Sequence, residues 1–101
     1  MPGALTPTEI VAAHGAGADI VKLFPAGLLG AAYVKAVKAP LKHIPVTAVG
    51  NVNVENCAEF LKAGAVGVGV GGSLVSAKLV DEGRFDEITA TAKAYVEALA
   101  R

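Results

Sequence analysis

Asp19-Ile20-Val21-Lys22-Leu23-Phe24-Pro25 is the stretch on which the fold turns. Ile20, Val21, Leu23 and Phe24 make a short apolar run, and Pro25 closes it. A run of this length with no polar alternation reads as a strand buried in a parallel sheet. Downstream, a glycine-bearing loop over residues 26–30 leads into a helix over about residues 31–39, ended by Pro40. Upstream, Thr6-Pro7-Thr8-Glu9 reads as a helix start. Thr6 is the N-cap, Pro7 takes the first helical position, and Glu9 reaches back to complete a capping box. That helix carries Ile10, Val11 and Ala13 and stops near Gly15 or Gly17.

The same unit recurs twice more. Residues 44–49 form a second strand, with Pro45 near its start, where a missing N–H is tolerated. Asn53 caps a helix over residues 54–63, and Gly64 sits where a left-handed terminal residue belongs. Residues 65–70 form a third strand, and Ser73 caps a short helix ending at Gly83. Asp86 caps the last helix, with Ile88, Ala92, Tyr95, Val96 and Leu99 on one stripe. The order α–βα–βα–βα predicts a parallel sheet with helices outside it. Three strands are few, and both outer ones would leave backbone groups unpaired. The chain reads as a piece of something larger, or as one half of an assembly.

Bulk properties narrow the function. The 101 residues suit a single domain. Nine Lys plus Arg balance nine Asp plus Glu, so charge points to neither nucleic acid nor an anionic membrane. No apolar run reaches the roughly 18 residues that span a bilayer. Cys57 is the single cysteine and reads as a small apolar filler on a helix, which favours a reducing, cytoplasmic setting.

Ligands of parallel α/β folds bind at the carboxyl ends of the strands. Three features fall there. Lys22 is a charge inside an apolar strand, and by the two-residue period it shares a face with Ile20 and Phe24. Desolvation disfavours an ammonium, and a neutral amine is the nucleophile that attacks a ketone. A lysine reaching out to solvent along its aliphatic stem fits the same pattern. Gly69-Val70-Gly71-Gly72-Ser73 lets backbone N–H groups approach an anion, or simply turns tightly. Gly50-Asn51 is either the second wall of that anion site or a turn. His14 and His43 lie on a helix and a connecting loop, away from the strand ends, with no second ligand suitably spaced, so neither a metal site nor a histidine-based catalytic set is expected.

Taken in order, the motifs resemble the 2-keto-3-deoxy-6-phosphogluconate / 4-hydroxy-2-oxoglutarate aldolase family, a class I aldolase family. Pro2-Gly3-Ala4-Leu5-Thr6-Pro7-Thr8-Glu9 resembles its motif after the fifth barrel strand. Val21-Lys22-Leu23-Phe24-Pro25-Ala26 resembles the sixth-strand signature whose lysine forms the Schiff base. Gly50-Asn51-Val52 with Asn56 resembles the block after the seventh strand, and Gly69 to Leu74 the phosphate loop after the eighth. Gly83-Arg84-Phe85-Asp86-Glu87-Ile88 resembles the family's tail.

The resemblance implies an α/β fold, the C-terminal half of a TIM (β/α)8 barrel, with residues 1–101 as one half-barrel domain. It implies Lys22 as the imine-forming residue, and Phe24, Pro25, Val49, Gly50 and Asn51 against the substrate. Gly71, Gly72 and Ser73 would hold a phosphate. The implied reaction cleaves a 2-keto-3-deoxy-6-phospho sugar acid to pyruvate and glyceraldehyde 3-phosphate, with no metal or organic cofactor. Cleavage of 4-hydroxy-2-oxoglutarate is the alternative substrate reading, and a half-barrel without turnover, or a bare phosphate-binding module, is the alternative class.

Two departures stand out. Ala48-Val49-Gly50-Asn51 replaces the common Pro-Thr-Gly-Gly, so Val49 lacks the hydroxyl that helps seat a carboxylate. The family's catalytic glutamate and substrate-binding arginine, on strands one to five, have no counterpart in these residues. Glu9, Glu55, Glu59 and Glu97 all read as helix positions. Half a barrel also leaves its inner face open, with Ile20, Phe24, Val46 or Val68 on display, and self-association into a homo-oligomer is expected.

Overall fold

Thr6 opens the first helix with the expected capping box. Its hydroxyl accepts the Glu9 N–H, and the Glu9 carboxylate accepts the Thr6 N–H in return. The computed structural model describes residues 1–100; Arg101, the last residue of the expected domain, lies outside the described residues. The elements are β1 (Gly3–Ala4), α1 (Pro7–Gly15), β2 (Val21–Leu23), α2 (Ala26–Leu29), α3 (Ala31–Lys38), β3 (Val46–Val49), α4 (Cys57–Lys62), β4 (Gly67–Gly69), α5 (Ala77–Asp81) and α6 (Phe85–Leu99).

The four strands pair in chain order, β1-β2-β3-β4, and every pairing is parallel. The expected three strands are joined by a fourth, because Gly3 and Ala4 pair with Lys22 and Leu23. Sequential parallel neighbours joined by helices are the repeating unit of a (β/α)8 barrel. A Cα radius of gyration of 14.5 Å, against about 13 Å for a compact chain of this length, fits a slab rather than a ball.

One face of the sheet is packed. Val21, Leu23, Val46 and Ala48 have no exposed surface and meet Ile10, Ala26, Val34 and Phe60 in a continuous core. The register puts Val21 beside Val46, and Leu23 beside Ala48, which aligns with Val68. Val46 and Val68 therefore face the helices and do not stand on the open face, contrary to expectation. Phe24 does, at 49% exposure, and Ile20 is half-buried.

The strands are shorter than expected, β3 starting at Val46 and β4 at Gly67, and the starts of α4, α5 and α6 also differ. Helix α4 begins at Cys57 rather than at residue 54. Asn53 still acts as a cap does, since its side chain accepts the Asn56 N–H at 2.8 Å while Asn56 accepts the Asn53 N–H at 2.7 Å. Glu55 thus sits in a turn and not in a helix. Ser76, not Ser73, caps α5 by accepting the Leu79 N–H. Asp86 lies in the first turn of α6, whose cap position is Arg84. Arg84 there bridges Glu82 and Glu87.

Lys38 was not singled out by the sequence. Its ammonium donates to the carbonyls of Leu41, Lys42 and Ile44, fastening the α3–β3 loop. Burial pushes its pKa down. Gly64 adopts φ +117°, a conformation that favours glycine at a helix end.

Candidate active site

Lys22 stands on the unpacked face of β2. In register with it are Gly3 on one side and Thr47 on the other, and Thr47 is followed by Gly67. Two glycines and a threonine leave space around the amine. The side chain is partly buried, and its Nζ lies 5.0 Å from the centroid of the Phe24 ring, within cation–π range. These residues do not enclose Lys22, so the desolvated setting expected for it is only half built here.

Phe24 connects Lys22 to a hollow at the strand ends. A pocket of ≈ 500 Å³ is lined by Phe24, Val49, Gly50, Asn51, Val52, Gly69, Gly71, Gly72 and Ser73. Seven of the nine residues singled out from the sequence line this one space, although they come from three separate loops. Lys22 lies beside it through the Phe24 ring, and Pro25, outside the lining, follows β2 with its Cα close to Gly50. No carboxylate lines the pocket among the described residues. Glu9 is held in the α1 cap, and Glu59 and Glu97 lie on α4 and α6.

The loop geometry explains the glycines. Gly50 has φ +98°, and a Cβ there would meet the Phe24 ring at 2.9 Å. Asn51 follows at φ 54°, a region asparagine enters more readily than most residues. Its carbonyl accepts the Asn56 side-chain amide at 3.0 Å, which braces the turn. Gly69 faces Val49, and a Cβ on Gly69 would come 2.9 Å from a Val49 methyl. Gly27 was missed by the sequence reading. Its N–H donates to the Gly50 carbonyl at 2.7 Å, and a Cβ there would lie 2.2 Å from that oxygen. A glycine one residue past Pro25-Ala26 was the available signal.

Around the glycine loop, the backbone N–H groups of Gly71, Gly72 and Ser73 find no acceptor among the described residues. All three residues are exposed at the pocket rim. Unpaired N–H groups in a glycine turn make an anion-binding concavity. The Ser73 hydroxyl is engaged elsewhere. It donates to the Val52 carbonyl at 2.8 Å and lies 2.7 Å from the Tyr95 hydroxyl.

His14 and His43 sit 5.7 Å apart, ring to ring, one near the end of α1 and the other before β3. The fold brings them together where the sequence placed them apart. The described residues hold no group of three side chains able to bind a metal. No helix among them is long and apolar enough to cross a membrane.

The sequence and the fold of this chain have counterparts among known proteins. Residues 1–91 match the aldolase family described as KDPG and KHG aldolase. The chain belongs to that family. The 2-dehydro-3-deoxy-6-phosphogalactonate aldolase of Escherichia coli (strain K12) is 42% identical to this KDPG and KHG aldolase family chain over 99 residues, covering 97% of it and 48% of the relative. A solved structure described as native KDPGal superposes with a TM-score of 0.83 at 42% identity, over 99% of this chain and 49% of the other. A cube-shaped designed protein cage, built by fusing symmetric oligomeric domains, gives a TM-score of 0.83 at 39% identity, over 96% of this chain and 35% of that one. The chain thus spans about half the length of the curated relatives it matches, and it carries a half of their α/β barrel-type fold.

Proposed function

We propose that this chain supplies the imine-forming and phosphate-binding half of an aldolase that cleaves a 2-keto-3-deoxy-6-phospho sugar acid. The carrying observation is Lys22 standing on the open face of β2 beside Phe24, next to a pocket rimmed by free backbone N–H groups. Lys22 Nζ attacks the C2 ketone, and loss of water leaves an iminium. A base removes the C4 hydroxyl proton, the C3–C4 bond breaks, and its electron pair flows into the iminium to give an enamine. Glyceraldehyde 3-phosphate departs. Protonation at C3 and hydrolysis then release pyruvate and restore the amine. Lys22 is itself the electron sink, so the scheme calls for no metal or organic cofactor.

The three N–H groups of Gly71, Gly72 and Ser73 suit the several oxygens of a phosphate better than the single terminal carboxylate of 4-hydroxy-2-oxoglutarate. The Escherichia coli relative's name points to the same substrate class. Phe24, Pro25, Val49, Gly50 and Asn51 would flank the keto-acid end, with Val49 offering an apolar wall. The proton-removing base lies outside these residues, and its loss typically costs about 10²–10⁴ in rate. The isolated chain should therefore turn over slowly or not at all.

We also read the chain as self-associating in a cytoplasmic setting, where a single buried Cys57 needs no partner. The exposed Phe24 and the outer strands β1 and β4 are what an assembly would cover. A designed cage built from symmetric oligomers shares this architecture. The test is pyruvate release from the phospho sugar acid, with and without a separately produced first half from a relative. Release that rises with the added half and disappears in Lys22→Ala supports the reading. Equal release by Lys22→Ala would refute it.

A further inference from the structure

Ser73 lines the pocket, yet its only hydroxyl proton is spent on the Val52 carbonyl 2.8 Å away. Val52 is 3% exposed, so water is poorly placed to replace that donor. A serine that turned toward an anion would therefore strand a buried carbonyl. The third member of the cluster removes this obstacle. Tyr95, on α6 and 5% exposed, places its hydroxyl 2.7 Å from Ser73 Oγ and 3.5 Å from the Val52 oxygen.

We propose that Tyr95 is the standby donor for Val52, freeing Ser73 to bind a phosphate monoester. In the resting arrangement Ser73 donates to Val52 and Tyr95 donates to Ser73, so both protons are used. When a phosphate oxygen reaches the Gly71–Ser73 loop, Ser73 rotates and donates to it. The Tyr95 proton passes from Ser73 to Val52, for which its oxygen must approach by roughly half an ångström. One donor replaces another, and no buried group goes unpaired. Tyr95 is a positioning residue in this scheme, because it acts only through Ser73.

This inference rests on the phosphate reading of the loop, and its test separates the two. Inorganic phosphate is titrated into the wild-type chain, Tyr95→Phe, Ser73→Ala and the double variant, following the amide signals of Gly71, Gly72 and Ser73. The exchange predicts that Tyr95→Phe weakens phosphate about tenfold, the worth of one charge-assisted hydrogen bond. It also predicts that the double variant binds no more weakly than Ser73→Ala. A tyrosine that merely supported the fold would weaken phosphate in the Ser73→Ala background as well. Wild-type affinity in Tyr95→Phe, or losses that multiply, would overturn the exchange while leaving the phosphate site standing. An absence of loop signals moving in the wild-type chain would remove the phosphate reading and this inference with it. Should Tyr95→Phe fold poorly, the wild-type crystal soaked in phosphate decides. Ser73 Oγ on the anion with Tyr95 within about 3 Å of the Val52 oxygen supports the exchange, and Ser73 still bonded to Val52 contradicts it.

Discussion

The two faces of the sheet obey different rules, although they are made from alternate residues of the same strands. On the helix side Val21, Leu23, Val46 and Ala48 are wholly buried against α-helical partners. On the other side Gly3, Lys22, Thr47 and Gly67 form a row of small or polar residues, of which Gly3 is exposed, Lys22 and Gly67 are half-buried and Thr47 is buried. Folding is thus driven from one face, and the proposed chemistry belongs to the other. The lesson is that half a barrel can complete its outer core while leaving its reaction space to be closed from elsewhere.

Paired substitutions at Leu23 and Phe24 test that division most strongly. Leu23→Ala should lose about 2–5 kcal/mol of unfolding free energy in denaturant titration, as a deleted core leucine does. Phe24→Ala, on the open side, should lose under about 1.5 kcal/mol despite removing a larger ring. Equal losses would erase the distinction between the faces. Gly27→Ala comes next. Its methyl would meet the Gly50 carbonyl at 2.2 Å, so overpacking of about 3 kcal/mol is expected, together with displaced amide signals in the 50–52 loop. An unperturbed loop would mean that α2 does not brace the pocket.

Thr6→Ala should cost less, about 1 kcal/mol, the worth of an N-cap. The smallest effect is pH-dependent. Hydrogen bonds from the Thr6 N–H, the Thr6 hydroxyl and the Leu5 N–H hold the Glu9 carboxyl below the usual glutamate range. Its folded pKa is below its unfolded one, so its contribution is full above the unfolded value and is lost as pH falls through the folded value. Urea unfolding from neutral pH into that acidic range should show a shallower decline for Glu9→Gln than for the parent. Parallel declines would assign the acid sensitivity elsewhere.

Local chemistry made much of this legible in advance. Thr6-Pro7-Thr8-Glu9 specifies a capping box within four residues, and Gly64 marks a helix end by its freedom at positive φ. Lys22 stood out because a charge interrupts an apolar run. What the pattern hid depends on register and on distant partners. Val46 reads as apolar, but only its alignment with Val21 decides which face it joins. The strands are shorter than the apolar runs that mark them, because pairing and not apolarity sets their ends, as with the three paired residues of β4. Ser73 and Ser76 are equally plausible caps, and the choice falls to Tyr95 and Val52, each more than 20 positions from Ser73. Gly27 looked like an ordinary loop glycine until the Gly50 carbonyl was found against it.

The central claim, that Lys22 is the reacting amine on the open face, has one direct measurement. The chain is incubated with pyruvate and borohydride, and the reduced product is read by intact mass and located by peptide mapping. The account predicts a single adduct on Lys22 that disappears in Lys22→Ala. An adduct on Lys35 or Lys62, with Lys22 unmodified, would contradict it.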